Sequence, residues 1–114
     1  MDPVIDIRIY RTFRGKVPFS LWLHKLDRTT QAVIDTRIAR IRKGNFGDCK
    51  HLSGCQGLFE LRIDFGSGYR IYYGIHKKIV VILLCGGDKR SQERDIHKAK
   101  EYWKDFLTNA SIGE

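Results

Sequence analysis

Three consecutive segments between residues 58 and 85 carry the periodicity of β-strands. Apolar and polar side chains alternate over residues 58–65, and the alternation resumes over 69–76 after a Gly-Ser-Gly turn. A second tight turn, Lys77-Lys78, leads into 79–85, an unbroken apolar run that is typical of a strand covered on both faces. Because each pair of segments is joined by a short turn, they predict a three-stranded antiparallel meander.

Helical periodicity flanks this meander on both sides. Residues 4–10 alternate and predict a first strand, and apolar residues at helical spacing then follow Pro18. After Asp27 and Thr29, both plausible N-caps, helical spacing resumes and runs until Gly44, which is expected just past the end of this second helix. The stretch from Gly44 to the meander is rich in turn formers and reads as a loop, and Ser91 can cap a last helix. The order β-α-α-β-β-β-α predicts an α+β fold: a small antiparallel sheet with helices packed mainly on its apolar face.

Charge and length limit the classes of function. With 114 residues we expect a single domain over 1–114, and a net charge of +8 favours nucleic acid or an acidic protein as partner. A basic surface that only keeps the protein in solution is the alternative. The odd number of cysteines and the lack of a leader pattern predict a reducing, cytoplasmic location. The longest apolar run, 79–85, falls far short of the roughly 20 residues that span a bilayer, so we expect no membrane association.

Cationic side chains are expected to meet at one end of the meander. Pairing the strands across the Gly-Ser-Gly turn places Asp64 opposite Arg70 and Arg62 opposite Tyr72, on the exposed face away from the apolar stripe. Lys89, just after the last strand, would emerge at the same end. Such a cluster suits a phosphodiester, because arginine can hold two of its oxygens and the cations stabilise charge that develops during cleavage.

Other residues near this end are weaker candidates. Tyr72 could offer a surface on which a base stacks, and His51 could reach the site for acid–base work, although a surface role is the commoner one for a histidine. The charged residues also fit a simpler arrangement, an exposed ladder of ion pairs that joins Asp64 to Arg70 and Glu60 to Arg62 and contributes little.

Metal and nucleotide motifs are absent from the sequence. Cys49, His51 and Cys55 lie close together, but their spacing is C-x-H-x3-C, a fourth ligand would have to be distant, and a structural zinc site usually has a tighter Cys pair. Gly86-Gly87 lacks the longer glycine pattern of a phosphate-binding loop. We expect neither a metal nor a cofactor.

Several short motifs together resemble a known family. The motifs are Leu58-Phe59-Glu60-Leu61-Arg62, Gly68-Tyr69-Arg70-Ile71-Tyr72-Tyr73 and Leu83-Leu84-Cys85-Gly86-Gly87-Asp88-Lys89, followed by Gln92, Asp95-Ile96 and Ala99. Trp22-Leu23 and Gly44-Asn45-Phe46-Gly47-Asp48 extend the match toward the N-terminus. In this order and spacing they resemble the phage-derived addiction-module killer proteins, a HigB-like branch of the RelE/ParE toxin superfamily.

The resemblance implies a microbial-RNase-like fold and the toxin role in a type II toxin–antitoxin pair. The toxin would act as a metal-independent endoribonuclease on mRNA at the ribosome, with the ribose 2′-OH attacking the adjacent phosphate. A cognate antitoxin, helix-turn-helix in type and encoded next door, would neutralise it, and operator DNA would be bound only through the complex. Arg62 and Arg70 would hold the phosphate, and Lys89 would transfer a proton or stabilise charge. The residues assigned to RNA contact are Lys50, His51, Tyr72, Asp88 and Arg90.

Two other functions fit the same resemblance. ParE-like relatives keep the fold but poison DNA gyrase, and a catalytically silent member would bind nucleic acid without cutting it. The chain also lacks the tyrosine that RelE-type toxins carry just after the last strand, and Tyr102, in the last helix, is expected to pack beside Trp103. The acid and base of the reaction are therefore unassigned.

Overall fold

A computed structural model describes the backbone of residues 4–113 and the side chains of 4–109. The elements in chain order are β1 (Asp6–Ile9), α1 (Pro18–His24), α2 (Arg28–Arg42), β2 (Cys49–His51), β3 (Leu58–Ile63), β4 (Tyr69–His76), β5 (Val80–Asp88) and α3 (Gln92–Gly113). This is the predicted α+β order with one additional strand. None of the helices in the described part of the chain is both long and apolar enough to cross a membrane.

The five strands form one sheet in the order β1-β5-β4-β3-β2. The predicted meander is confirmed, since β3, β4 and β5 pair antiparallel in sequence order. The sheet is mixed rather than purely antiparallel, because β1 pairs with β5 in parallel. β2 lies within the segment expected to be a loop, where three residues pair with β3 and form the other edge.

The predicted register between β3 and β4 is wrong by two residues. Arg62 lies opposite Arg70, and Glu60 rather than Arg62 lies opposite Tyr72. The reason is the length of the turn: β3 ends at Ile63, before the alternating pattern stops, and the chain loops through residues 64–68 before pairing resumes. The shift by an even number of residues leaves the facing of every side chain unchanged.

Helices cover both faces of the sheet. On one face, Phe19 of α1 and Ile34 and Ile38 of α2 pack against strand residues such as Ile71. On the other face, α3 packs against the side of β4 and β5 that carries Tyr72. The expectation that the helices lie mainly on one apolar face therefore missed α3, which covers part of the face that was predicted to be exposed.

Two strand glycines permit these helices to approach closely. A methyl group added at Gly74 would overlap the ring of Trp103 in α3, and one added at Gly86 would overlap the ring of Trp22 in α1. The two contacts lie on opposite faces of the sheet. Each of these strand positions therefore requires a residue without a side chain, because an indole ring packs against the backbone there.

The ends of α2 form as the sequence predicts. The Asp27 carboxylate accepts a hydrogen bond from the Thr30 backbone N–H at 2.8 Å. The pKa of Asp27 is lowered, first by hydrogen bonding to the Thr30 side chain and then by this backbone bond. Gly44, just past the helix, has the left-handed φ of +87° that ends many helices.

Candidate functional site

A cleft of about 360 Å³ opens at the end of the sheet that carries the β3–β4 turn. We call it the cationic cleft, because Arg62, Arg70 and Lys89 all line it, together with Asp64 and Tyr69. The three cations expected to converge therefore do lie around one cavity. They are brought together by a cross-strand pair, Arg62 opposite Arg70, and by the pairing of Tyr69 with Asp88, which sets the position of Lys89.

Glu60 lies beneath the two arginines and is 1% exposed. Its carboxylate accepts a hydrogen bond from Arg62 Nε at 3.1 Å, lies 3.6 Å from Arg70 Nε, and accepts a second hydrogen bond from Gln92 Nε2 at 2.9 Å. Burial opposes ionisation of Glu60, but the hydrogen bonds and the nearby Arg70 charge outweigh it, so the pKa is lowered. A buried carboxylate thus holds both guanidinium groups at the base of the cleft.

Sequence reasoning placed Glu60 only in an exposed ladder of weak ion pairs. The pair with Arg62 exists, but it is built on a buried carboxylate, and the other arginine of the network is Arg70. The available signal was an acidic side chain in β3 that shares its face with Arg62 of the same strand and with Arg70 of β4. The contact with Gln92 of α3 could not be predicted, because it depends on how α3 docks.

Arg70 is largely buried, which corrects its predicted place on an exposed face. Its side chain is 12% exposed, because the beginning of α3 covers this part of the sheet. Among the described side chains, Nε and Nη1 of Arg70 are buried and make no hydrogen bond, although Nε remains in ion-pair range of Glu60. Unsatisfied donors of a buried guanidinium are costly and can be satisfied by the oxygens of an anionic ligand.

Tyr72 does not offer the stacking surface that the sequence suggested. It is fully buried between the sheet and α3, so a base cannot reach its ring. Burial and then the adjacent Glu60 charge raise the pKa of the Tyr72 hydroxyl, which keeps it protonated. Tyr102 packs against the ring of Tyr10, with centroids 5.2 Å apart, and also belongs to the packed cluster on the α3 face.

Two of the predicted RNA-binding residues lie next to each other on the short strand β2 and therefore face opposite sides of the sheet. Lys50 lies directly opposite Glu60, is exposed, and shares the face of the cationic cleft. His51 lies opposite Phe59, and its ring packs edge-on against Phe59 with centroids 5.3 Å apart. Because Phe59 belongs to the cluster on the α1 and α2 side, His51 lies on the face opposite the cleft.

Asp88 shapes the loop between β5 and α3. Its Oδ1 accepts hydrogen bonds from the backbone N–H groups of Arg90 at 2.9 Å and Ser91 at 3.1 Å. Burial opposes ionisation, but these bonds prevail and lower the pKa of Asp88. Lys89 lines the cationic cleft, whereas Asp88 and Arg90 line a separate open groove of about 1060 Å³ beside Trp22.

The cysteines do not gather with histidine or acidic residues. Across the described residues, no group of three His, Cys, Asp or Glu side chains is arranged to hold a metal ion. Cys49 is exposed, Cys55 is half-buried, and Cys85 is buried, where loss of solvent raises the pKa of its thiol to about 12.

The fold and this cleft define a class: a small basic α+β protein with a cluster of cations on a buried carboxylate at one end of its sheet. Residues 21–104 match the family model described as "Phage derived protein Gp49-like (DUF891)", and the chain belongs to this Gp49-like family. It is similar to an uncharacterized protein of Haemophilus influenzae. The identity is 51% over 83 residues, which cover 72% of this chain and 82% of the relative.

Proposed function

We propose that this protein is the toxin of a type II toxin–antitoxin pair and that it cleaves mRNA at the ribosome. The proposal is supported by the association of the Gp49-like family with RelE-like toxins and by the resemblance to HigB-like toxins. The observation that carries it is the cationic cleft, where Arg62, Arg70 and Lys89 surround a space open to a phosphodiester. Nη1 of Arg70 makes no hydrogen bond within the described part of the chain, and a guanidinium N–H fits the oxygens of a phosphate.

The proposed reaction is an internal transfer at phosphorus. The ribose 2′-oxygen loses its proton and bonds to the adjacent phosphorus, the bond from phosphorus to the 5′-oxygen breaks, and the 5′-oxygen takes up a proton. The products are a 2′,3′-cyclic phosphate and a 5′-hydroxyl. Arg62 and Arg70 hold the non-bridging oxygens, and Lys89 stabilises charge or transfers a proton near the leaving oxygen.

Glu60 serves this proposal as a positioning residue. It is too deeply buried to touch RNA, but it fixes Arg62 and Arg70 in one geometry before a ligand arrives. Because the N–H donors of both arginines are already in position, they need not reorganise when charge develops on the phosphate. Lys50, on the same face and exposed, is placed to contact the RNA backbone outside the cleft.

A reconstituted reaction tests this function. Purified protein is added to ribosomes programmed with a defined mRNA, and new 5′ ends are mapped by primer extension, with Lys89→Ala as the matched variant. We expect discrete ends with the native chain and none with the variant. If the mRNA stayed intact and the protein inhibited supercoiling by gyrase in a parallel assay, a ParE-like function would be supported instead. Bound but uncut RNA would indicate a catalytically silent member.

A further inference from the structure

The loop between β1 and α1 presents an aromatic side chain to solvent. Phe13 is 99% exposed, the largest exposure among the large hydrophobic residues of the described chain. A single exposed apolar residue is common on protein surfaces, so the informative feature is its combination with cations. Arg11, Arg14 and Lys16 flank Phe13 in the sequence, and all three are exposed. We call residues 11–16 the basic loop.

The basic loop is held in shape by its own hydrogen bonds. The Thr12 N–H donates to the Lys16 carbonyl at 2.8 Å, and the Lys16 N–H donates to the Thr12 hydroxyl oxygen at 3.0 Å. Gly15 adopts a φ of +87°, which closes the turn. Phe13 is therefore displayed at the tip of a closed turn whose ends are joined, which lowers the entropy lost when a ligand orders it.

The sheet topology directs this loop toward the half of the sheet that carries the cationic cleft. β1 runs parallel to β5, but Ile9 pairs with Leu83, five residues before Asp88, so the loop leaves the sheet about 16 Å short of the end where Lys89 lies. The turn between β3 and β4 also lies at this end, because Tyr69 pairs with Asp88. In the order β1-β5-β4, β1 lies two strand spacings, about 10 Å, to the side of β4, which carries Arg70.

We propose that the basic loop is a second RNA contact, in which Phe13 stacks on an unpaired base while Arg11, Arg14 and Lys16 hold neighbouring phosphates. The bound strand would run from the cationic cleft past the end of β5 and back toward the loop that follows β1, so this inference rests on the proposed action on RNA. An aromatic ring among cations is the arrangement by which proteins bind single strands, since every base has a face to stack and every nucleotide a phosphate. The loop thereby supplies the stacking surface that buried Tyr72 cannot.

The test uses the full chain and a fluorescent single-stranded RNA whose riboses are 2′-O-methylated, so that it cannot be cleaved. Binding is measured by fluorescence anisotropy for Phe13→Ala, Phe13→Tyr and Phe13→Leu, with Leu21→Ala as a matched truncation of an exposed apolar residue outside the loop. We expect Phe13→Ala to weaken binding about five- to 150-fold, the range for losing one stacked base. Phe13→Tyr should bind like the native chain, and Phe13→Leu should bind weakly.

The same set separates stacking from other roles of the loop. Thermal melting should be unchanged in Phe13→Ala, and binding to a fully paired RNA should change little, because stacking requires an unpaired base. Native-like affinity in Phe13→Ala, or full affinity in Phe13→Leu, would overturn the inference. The inference would also be overturned if the native chain did not bind the RNA. The same holds if Phe13→Ala bound RNA like the native chain and lost only its binding to the antitoxin protein.

Failure of this inference is distinguishable from failure of the proposed function. If the native chain cuts mRNA on ribosomes and Phe13→Ala binds RNA normally, the proposed function is supported and the loop contact is contradicted. Phe13-dependent binding without any cleavage supports the loop contact and contradicts the nuclease.

Discussion

Glu60 shows how much one buried residue determines at this site. Its carboxylate contacts Arg62, Arg70 and Gln92, which belong to β3, β4 and α3. A buried carboxylate is stable as an ion only when such partners compensate for its lost hydration. The same contacts that stabilise it also fix the position of the two arginines at the cleft, so fold and site depend on one group.

The first prediction concerns the pH dependence of this contribution. Because the pKa of Glu60 is lowered from its ordinary value of 4.5, the stabilisation is complete above about that pH and is lost as pH falls through the folded-state pKa. Glu60→Gln should therefore unfold more easily than the native chain at pH 7, and the difference should shrink in acid. Urea unfolding of both chains from pH 7 downward measures it. A difference that stays constant with pH would contradict the ionised network.

The second prediction separates cleavage from stability among the cations. Lys89→Ala should slow cleavage by roughly 10² to 10³ without changing the melting temperature, because Lys89 is exposed. Arg70→Ala should lose cleavage and also about 1–3 kcal/mol of stability, since it removes a partner of buried Glu60.

Cleavage assays and thermal melting of both variants check this pattern. His76→Ala is the control, since His76 lies at the far end of β4 against Phe106 and should cut like the native chain. Normal cleavage by both Lys89→Ala and Arg70→Ala would show that the cationic cleft is not the site of cleavage.

At the scale of helices and strands, the sequence patterns predicted the features that depend on residues close together in the chain. Alternation identified β3 and β4, an unbroken apolar run identified β5, and Asp27 and Gly44 marked the ends of α2, because these features depend on neighbouring residues. The register of β3 and β4 was wrong, because the alternating pattern continues past the end of β3 into the turn. β2 has only three residues and no periodicity that could reveal it.

The position of α3 limited what could be predicted about the site. The sequence identified Arg62, Arg70 and Lys89, and they do line one cleft. It could not predict that Arg70 and Tyr72 are buried, because burial depends on which face α3 covers. Gly74 carries a signal for this contact, since a glycine inside a strand often marks the close approach of another element.

A third prediction tests the docking of α3 on the sheet. Gly74→Ala should destabilise the protein by about 1–3 kcal/mol, because the new methyl group overlaps the Trp103 ring. Trp103→Leu removes that ring, so the double variant should be less destabilised than the sum of the two single variants. Urea unfolding of the four chains measures the coupling, and strictly additive losses would contradict the contact.

For the whole molecule, the net charge of +8 connects the site with its expected partners. If the chain is a toxin, an antitoxin that binds over its cations would match them with acidic side chains, because interfaces are electrostatically complementary. The fourth prediction is that expression of the chain alone arrests growth, and that the neighbouring small gene relieves the arrest. The protein from that gene should place acidic side chains over Arg62 and Lys89.

Growth curves with and without the second gene measure the effect, with Lys89→Ala as a control that should grow normally. Normal growth at verified high levels of folded native chain would argue against a toxin. A structure of the complex that leaves the cationic cleft open, with no other blocking contact, would argue against inhibition by covering it.

The most direct test of RNA cleavage by the cationic cleft is a map of mRNA 5′ ends in cells shortly after expression begins. The native chain should produce discrete new ends within translated messages, and Lys89→Ala, folded and expressed equally, should produce none. Identical maps for the two chains, or growth arrest with intact messages, would contradict cleavage at this cleft.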